Sequence, residues 1–161
     1  MDRDDALYKR ARERALYLLD YRDHCYAEIV TKLLRKYDEE IAYGVADELS
    51  DKGMIDDERF AENFARQLIE VRHYGLYRAR MQMRQRGLPK SVIEEALEQY
   101  AEGGELRAKE LIERRYAKYW EPDDRAMMQK LTAAVVRQGY SFDEVKAAIA
   151  LIKAEEEENV E

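Results

Sequence analysis

The chain has 161 residues, a length typical of one compact domain or of a short array of small units. Charged residues make up 39% of it and hydrophobic residues 46%, while only two prolines and seven glycines interrupt it, which favours long helices. A net charge of −7 argues against avid, non-specific binding of phosphate backbones and therefore favours a protein partner.

Cysteine usage and hydropathy indicate the environment in which the chain works. The lone Cys25 cannot form an internal disulfide, and no metal-type cysteine spacing exists, which indicates a reducing compartment. No apolar run approaches the ~20 residues that a membrane helix needs. The opening residues 1–5 also lack the apolar region of a secretion signal. We therefore predict a cytoplasmic protein without a membrane partner.

Apolar residues recur at helical spacing along almost the whole chain, and no segment alternates like a β-strand. Each interruption carries a glycine, a proline or a capping residue. In chain order they fall near Asp23-His24, Lys36-Tyr37-Asp38, Lys52-Gly53, Tyr74-Gly75, Gly87-Leu88-Pro89, Gly103-Gly104, Trp120-Glu121-Pro122 and Gly139-Tyr140-Ser141. These breaks predict an all-α protein of about nine helices.

The helices repeat. At an offset of about fifty residues Ala11 falls on Ala61, and Leu18 falls on Leu68, with a slip of one residue at Gly87. A third copy follows more loosely, with extra residues around Trp120. We predict three tandem three-helix repeats over residues 1–53, 54–102 and 103–156, followed by an acidic tail over 157–161. Such repeats stack and share a buried face, so we expect an elongated, curved array.

Catalytic and metal-binding arrangements are poorly supported. His24 and His73 fall in predicted loops, where a solvated histidine is the expected environment, and no nucleophile with its base accompanies them. The acidic run of Asp56, Asp57 and Glu58 precedes a helix, where carboxylates cap the N-terminus and favour its dipole. We predict no catalytic residue, no metal, no cofactor and no small-molecule substrate.

Two further features concern helix stability. Gly44 lies inside a predicted helix and should cost it up to ~1 kcal/mol relative to alanine, with no compensation visible in the sequence. The final four glutamates, Glu155 to Glu158, lengthen the last helix and repel one another, so we expect this end to fray.

One segment differs from its acidic surroundings. Between Val71 and Ile93 there is no aspartate or glutamate, and arginine, lysine and tyrosine cluster together, a combination found at protein interfaces and at nucleic-acid contacts. Ordinary solvated helix faces usually mix both signs of charge. We therefore predict a partner-binding surface made of Arg72, Tyr74, Tyr77, Arg78, Arg80, Arg84, Arg86 and Lys90.

Three short motifs, in this order, resemble the RecX family. The first is Tyr21-Arg22-Asp23-His24, followed by a helix reading Ala27-Glu28-Ile29 and Lys32-Leu33. The second and most specific is Gly53-Met54-Ile55-Asp56-Asp57-Glu58-Arg59-Phe60-Ala61, and the third is Tyr74-Gly75 followed by Arg78-Ala79-Arg80. Cys25 stands where the family usually has serine, Leu76 where it has proline and Ile55 where it has leucine. The motif positions with a mainly structural role would be Arg22, Asp23, His24, Asp56, Asp57, Arg59 and Phe60.

The resemblance implies tandem three-helix repeats and a non-enzymatic protein that binds RecA recombinase filaments. Such a protein inhibits their ATPase, strand exchange or extension, reaches single-stranded DNA through the filament, and modulates recombinational repair and the SOS response. The alternative is a helical nucleic-acid-binding module of the helix-turn-helix type, against which the acidic charge counts. A hydrolase using Asp56 and Asp57 lacks partner residues and is the weakest hypothesis.

Overall fold

The computed structural model describes residues 3–160, a range that contains nine α-helices and no strand. The helices are α1 (Arg3–Tyr21), α2 (Tyr26–Leu34), α3 (Glu39–Asp51), α4 (Asp57–Arg66), α5 (Leu76–Gln85), α6 (Lys90–Leu97), α7 (Gly104–Arg115), α8 (Arg125–Arg137) and α9 (Phe142–Val160). A π-helical turn, Gln67–Val71, continues α4, and 3₁₀ turns follow α6 (Glu98–Tyr100) and α7 (Ala117–Tyr119). The all-α prediction and the predicted breaks are confirmed. None of these helices is long and apolar enough to cross a membrane.

The fifty-residue repeat corresponds to a repeat of buried positions. In the first helix of the first two repeats, Ala11 and Ala61 are both fully buried, and Leu18 and Leu68 are buried as well. The looser third copy keeps the pattern, since Leu111 aligns with Leu68 and is fully buried. The repeat in the sequence therefore marks equivalent core positions and not chance alignment of amphipathic helices.

The chain divides into two compact units. The first comprises the residues up to Phe64 together with Met83–Ala96. In it α1, α2 and α3 pack against one another around a core that includes Ala11, Ala15, Leu18, Ile29, Leu33, Ala42, Val45 and Leu49. Alanines on both α1 and α3 allow these two helices to approach closely. Each buried leucine or isoleucine contributes about 1.5–3 kcal/mol relative to an exposed one.

The second unit comprises Ala65–Gln82 and the residues from Leu97 onward. Here α9 packs against both α7 and α8, around a core that includes Ala108, Leu111, Ile112, Leu131, Val135, Tyr140, Val145 and Ala148. The 3₁₀ turn after α7 contacts α7 and α8, so the connection between these helices is packed against the unit. This turn forms one wall of a cleft described below.

Contacts are present at both positions that the sequence marks as unfavourable for a helix. The Tyr8 ring lies against Gly44, where an added Cβ would lie 3.2 Å from it, and the Tyr8 hydroxyl donates to the Gly44 carbonyl at 3.2 Å. The glycine therefore makes room for a ring from α1. The last helix extends to Val160, and on it Glu155 pairs with Lys109 at 3.0 Å and Glu156 accepts from Trp120 Nε1 at 2.7 Å. Glu161 lies outside the described residues.

Candidate functional site

The acid-free segment of the sequence forms α5 and the segments that flank it. On α5, Tyr77, Met81 and Arg84 lie four and three residues apart and therefore share one face of the helix. Tyr77 is 64% exposed, Met81 is 50% exposed and Arg84 is exposed. The opposite side packs inward through Ala79 and Met83, which are fully buried. We name these three exposed side chains the α5 face.

The start of α5 is held by backbone hydrogen bonds to the end of α8. Gly75 N–H donates to the Gln138 carbonyl at 2.8 Å, and Tyr77 N–H donates to the Gly139 carbonyl at 3.1 Å. The Tyr140 hydroxyl donates to the His73 carbonyl at 3.0 Å. Helix N-termini leave N–H groups without intrahelical partners, and here carbonyls from the end of α8 accept two bonds from this segment.

Two arginines of the predicted partner-binding surface, Arg78 and Arg86, make contacts with other residues of the same chain. The Arg78 guanidinium lies 4.0 Å from the centroid of the Tyr74 ring and donates to Gln138 Oε1 at 3.1 Å. Arg86 lies 4.7 Å from the centroid of the Phe64 ring and pairs with Glu28 at 3.4 Å. Both interactions order the arginine side chain, so these residues have a structural role whether or not they also contact a partner.

The other predicted partner residues differ in exposure. Arg72, Arg84 and Lys90 are exposed, whereas Tyr74 and Arg80 are half-buried. Exposed cations can be replaced with little effect on folding, typically within about 0.5 kcal/mol. Arg84 is therefore the most suitable charged position of α5 for a test of binding.

The first RecX-like motif, Tyr21-Arg22-Asp23-His24, forms a joint of hydrogen bonds and an ion pair around Glu28 at the start of α2. Its carboxylate accepts from Arg22 Nη2 at 3.1 Å and from the Cys25 N–H at 3.2 Å. Burial alone would raise the pKa of Glu28, but the bonds from Arg22 and Cys25 lower it below its usual value. The Arg22 guanidinium also donates to the Asp23 carbonyl at 2.7 Å. Glu28 and its partners thus fix the start of α2.

Cys25 lies in the same joint and is fully buried. Its Sγ–H donates to the Arg86 carbonyl at 3.2 Å, which connects the start of α2 to the residue just after α5. Burial raises the pKa of the thiol to about 11, so the group stays protonated and unreactive at neutral pH.

His24 is 3% exposed, which corrects the expectation of a solvated loop histidine. Its Nδ1 lies 2.8 Å from the Arg22 carbonyl, and its Nε2 lies 2.8 Å from Lys32 Nζ. A carbonyl and an ammonium group require the neutral ring, with Nδ1–H donating and Nε2 accepting. Burial lowers the pKa of His24, and the charges of Arg22 and Lys32 lower it further. The side chain is a buried acceptor for a lysine, and the neighbouring Cys25 thiol donates to the Arg86 carbonyl instead.

This arrangement predicts a pH dependence of stability. Because the folded protein lowers the pKa of His24, the unfolded chain binds more protons just below pH 6.5, and the free energy of unfolding should fall as pH drops from 7 to 5.5. The slope from this group is at most about 1.4 kcal/mol per pH unit. His24→Gln, which retains an acceptor for Lys32, should flatten that slope in urea titrations. His73→Asn, a control at a half-buried loop position, should keep the wild-type slope. If the free energy of unfolding has the same pH slope in the wild type and in His24→Gln, the slope does not come from His24.

The acidic motif before α4 caps two helices. Asp56 Oδ1 accepts from the Arg59 N–H at 3.1 Å and so caps α4, while Asp57 Oδ1 accepts from the Tyr26 N–H at 2.8 Å at the start of α2. The Phe60 ring lies 5.8 Å from the Phe64 ring, and the Arg59 side chain is exposed. Within residues 3–160 no group of three or more metal-ligating side chains forms a metal site.

A second basic and aromatic surface lies outside the predicted partner-binding residues. An open cleft of about 490 Å³ beside α8 is lined by Tyr116, Tyr119, Lys130, Ala133, Ala134, Arg137 and Gln138. A signal for it was present, because no aspartate or glutamate occurs between Asp124 and Asp143. The tyrosines could not be assigned to it, since they come from the extra residues of the third repeat.

Family models match the chain in three consecutive segments. The models for the first, second and third three-helix domains of RecX match residues 11–49, 56–97 and 106–149, respectively. Each matched segment contains most of three α-helices of the structure.

Curated relatives and solved structures agree with these models. The regulatory protein RecX of Halorhodospira halophila is 33% identical over 158 residues, which cover 98% of this chain and 97% of that protein. The one of Prosthecochloris aestuarii is 30% identical and covers 90% and 95%, respectively. A crystal structure of regulatory protein RecX superposes with a TM-score of 0.78 at 25% identity over 88% of this chain and 71% of that one. The fold of RecX from Lactobacillus salivarius matches with a TM-score of 0.83 at 19% identity over 93% and 99%.

Proposed function

Because this chain belongs to the RecX family, we propose that it is a non-enzymatic regulator that binds RecA recombinase filaments and restrains them. Its relatives are named regulatory proteins, which supports a regulatory role for this chain. The observation that carries the proposal is the ordered match of all three RecX domain models along one chain. By restraining RecA, the protein would modulate recombinational repair and the SOS response.

The α5 face is the surface that we propose for the filament. Tyr77 offers a rigid aromatic side chain, Met81 an adaptable apolar one and Arg84 a charge, residue types that are enriched at protein interfaces. An arginine on a chain of net charge −7 can pair with acidic surface of RecA or with phosphates that RecA holds. Charge complementarity of this kind mainly sets the encounter rate and the register.

A regulator of this kind can act through binding alone and needs no catalytic residues. A protein that binds one conformation of a filament more tightly than another shifts the filament toward that conformation, by about 1.4 kcal/mol for each tenfold difference in affinity. Inhibition of ATP hydrolysis, of strand exchange or of extension can each follow from such a shift. Single-stranded DNA would then be reached through the filament.

A RecA activity assay tests the proposal. At stoichiometric or lower levels the protein should reduce the single-strand-dependent ATP hydrolysis of the cognate RecA. An unrelated ATPase that needs no DNA serves as the control and should be unaffected, since the effect acts on RecA. If ATP hydrolysis and strand exchange by RecA are both unchanged at a large excess, the proposal is wrong.

A further inference from the structure

The cleft beside α8 has a flat floor between two cations. Lys130 and Arg137 are seven residues apart and lie on one face of α8, about 10.5 Å apart along the helix axis. Ala133 and Ala134 lie between them on that face. Their methyl groups leave the space between the two charges open. A flat group can therefore lie on this floor with an anionic group at each end.

Two tyrosines form the wall. The rings of Tyr116 and Tyr119 have centroids 6.2 Å apart and are inclined by 35°, and both side chains are half-buried. Lys118 Nζ lies 5.1 Å from the centroid of the Tyr119 ring and adds a third cation at this wall. The rings are thus held in place by packing while the cleft remains open to solvent.

The wall exists because the third repeat has a longer connection than the other two. Residues 22–25 link the first and second helices of the first repeat, and residues 72–75 do so in the second. In the third repeat the link is residues 116–124, and it contains both the 3₁₀ turn and the tyrosines. Tyr116 and Tyr119 pack against the core of this unit on one side and line the cleft on the other, so the longer connection supplies the aromatic wall.

The charge of the cleft is opposite to that of the chain. Its lining contains two cations and no carboxylate, and α8 itself contains no aspartate or glutamate, although the whole chain has a net charge of −7. Its volume of about 490 Å³ falls in the usual range of ligand sites, about 300–1,000 Å³. Aromatic rings flanked by cations bind ligands that combine a flat ring with anionic groups.

We propose that this tyrosine cleft binds a nucleotide within single-stranded nucleic acid. The base stacks against Tyr116 and Tyr119, and the phosphates on either side pair with Lys130 and Arg137. A base in a duplex is already stacked between its neighbours, so only an unpaired strand can present one to the rings. The proposal goes beyond regulation of RecA, because the cleft binds the strand without any partner protein.

Fluorescence anisotropy with a labelled thymidine oligomer of about twenty nucleotides, without RecA and at about 50 mM salt, tests the proposal. The wild-type protein should bind it, and Lys130→Glu/Arg137→Glu should bind at least tenfold more weakly. The slope of log affinity against log salt should also decrease in magnitude by about 1.4, since each phosphate contact on a single strand contributes about 0.7. Lys130 and Arg137 are exposed, so the double variant should fold normally.

The matched control is Lys146→Glu/Lys153→Glu on α9. These lysines are also exposed and seven residues apart, so the change has the same size and spacing outside the cleft. The control should keep the wild-type affinity and salt slope. Equal losses in both double variants would show that only net charge matters and would overturn the proposal. No binding of the oligomer by the wild type would overturn it as well.

Further measurements test the role of the rings and the kind of strand. Tyr119→Phe should bind like the wild type and Tyr119→Ser about tenfold more weakly, because stacking needs the ring and is worth about 1–3 kcal/mol per base.

The kind of strand is tested with other oligomers. A uridine oligoribonucleotide should bind comparably, because the rings can stack against any base, and a duplex of equal length should bind at least tenfold more weakly. Equal duplex binding, or displacement of the oligomer by equimolar thymidine monophosphate, would overturn the proposal. RecA inhibition can survive each of these failures, so they leave the proposed function intact.

Discussion

Tyr77→Ser/Arg84→Glu should weaken binding to RecA filaments on single-stranded DNA at least tenfold. Tyrosine and arginine are the residue types whose truncation most often costs more than about 1 kcal/mol at an interface, and the charge reversal adds repulsion against any acidic contact. Tenfold corresponds to about 1.4 kcal/mol, a modest expectation for two such changes. Binding can be measured by surface plasmon resonance on immobilised filaments, with a circular dichroism melt of each variant.

The chain offers a closely matched control in α1. Arg10 and Tyr17 are also seven residues apart, Arg10 is exposed, and Tyr17 is 63% exposed, against 64% for Tyr77. Arg10→Glu/Tyr17→Ser therefore makes the same chemical change on a helix where acidic residues such as Glu13 intervene. The control should bind like the wild type. If the two double variants lose affinity equally, or if neither loses any, the α5 face is not the contact surface.

Gly75→Ala should destabilise the protein by about 3 kcal/mol or more. An alanine Cβ at this position would overlap the backbone of Gly139 and Tyr140, atoms that cannot rotate away as the end of a side chain can. Overpacking a tight contact typically costs about 1–3 kcal/mol, and relieving this overlap would also strain the bonds from Gly75 to Gln138 and from Tyr77 to Gly139. Urea denaturation monitored by circular dichroism measures the loss.

Gly53→Ala is the control for the loss of a glycine. Gly53 has a φ of +76° and no heavy atom within 4 Å of an added Cβ, so the substitution introduces backbone strain but no overlap. That strain is worth about 1–2 kcal/mol. A loss at Gly75 no larger than the loss at Gly53 would mean that α5 and the end of α8 are less closely packed than the structure indicates.

Helix positions and core faces could be predicted from the sequence because both are local. Breaks at Gly53 and Gly103 depend on residues a few positions apart, and burial at Ala11 and Leu68 follows from the helical period. The resemblance of the motif around Asp56 to RecX was sufficient to identify the family, and the match to the RecX domain models confirms that identification.

The surroundings of individual polar residues could not be predicted, because they depend on contacts between distant positions. Arg78 and Arg86 belong to a stretch whose composition indicates a basic surface. In the fold, however, Arg78 binds Gln138 and Arg86 binds Glu28, each about sixty residues away in sequence. His24 is a different case, because its partners, the Arg22 carbonyl and Lys32, are only two and eight residues away. Its burial depends on the side-chain geometry at the start of α2, which the local sequence does not specify.

The buried Cys25 makes the protein convenient for site-specific labelling. Burial raises the pKa of this thiol to about 11, so it stays protonated at pH 7, and it has no solvent-exposed surface. A maleimide dye will therefore react with a cysteine introduced at an exposed position, such as Ser91→Cys, and leave the native thiol unmodified. The proposed binding to RecA filaments can then be followed by fluorescence without first removing the cysteine that contacts the Arg86 carbonyl from the start of α2.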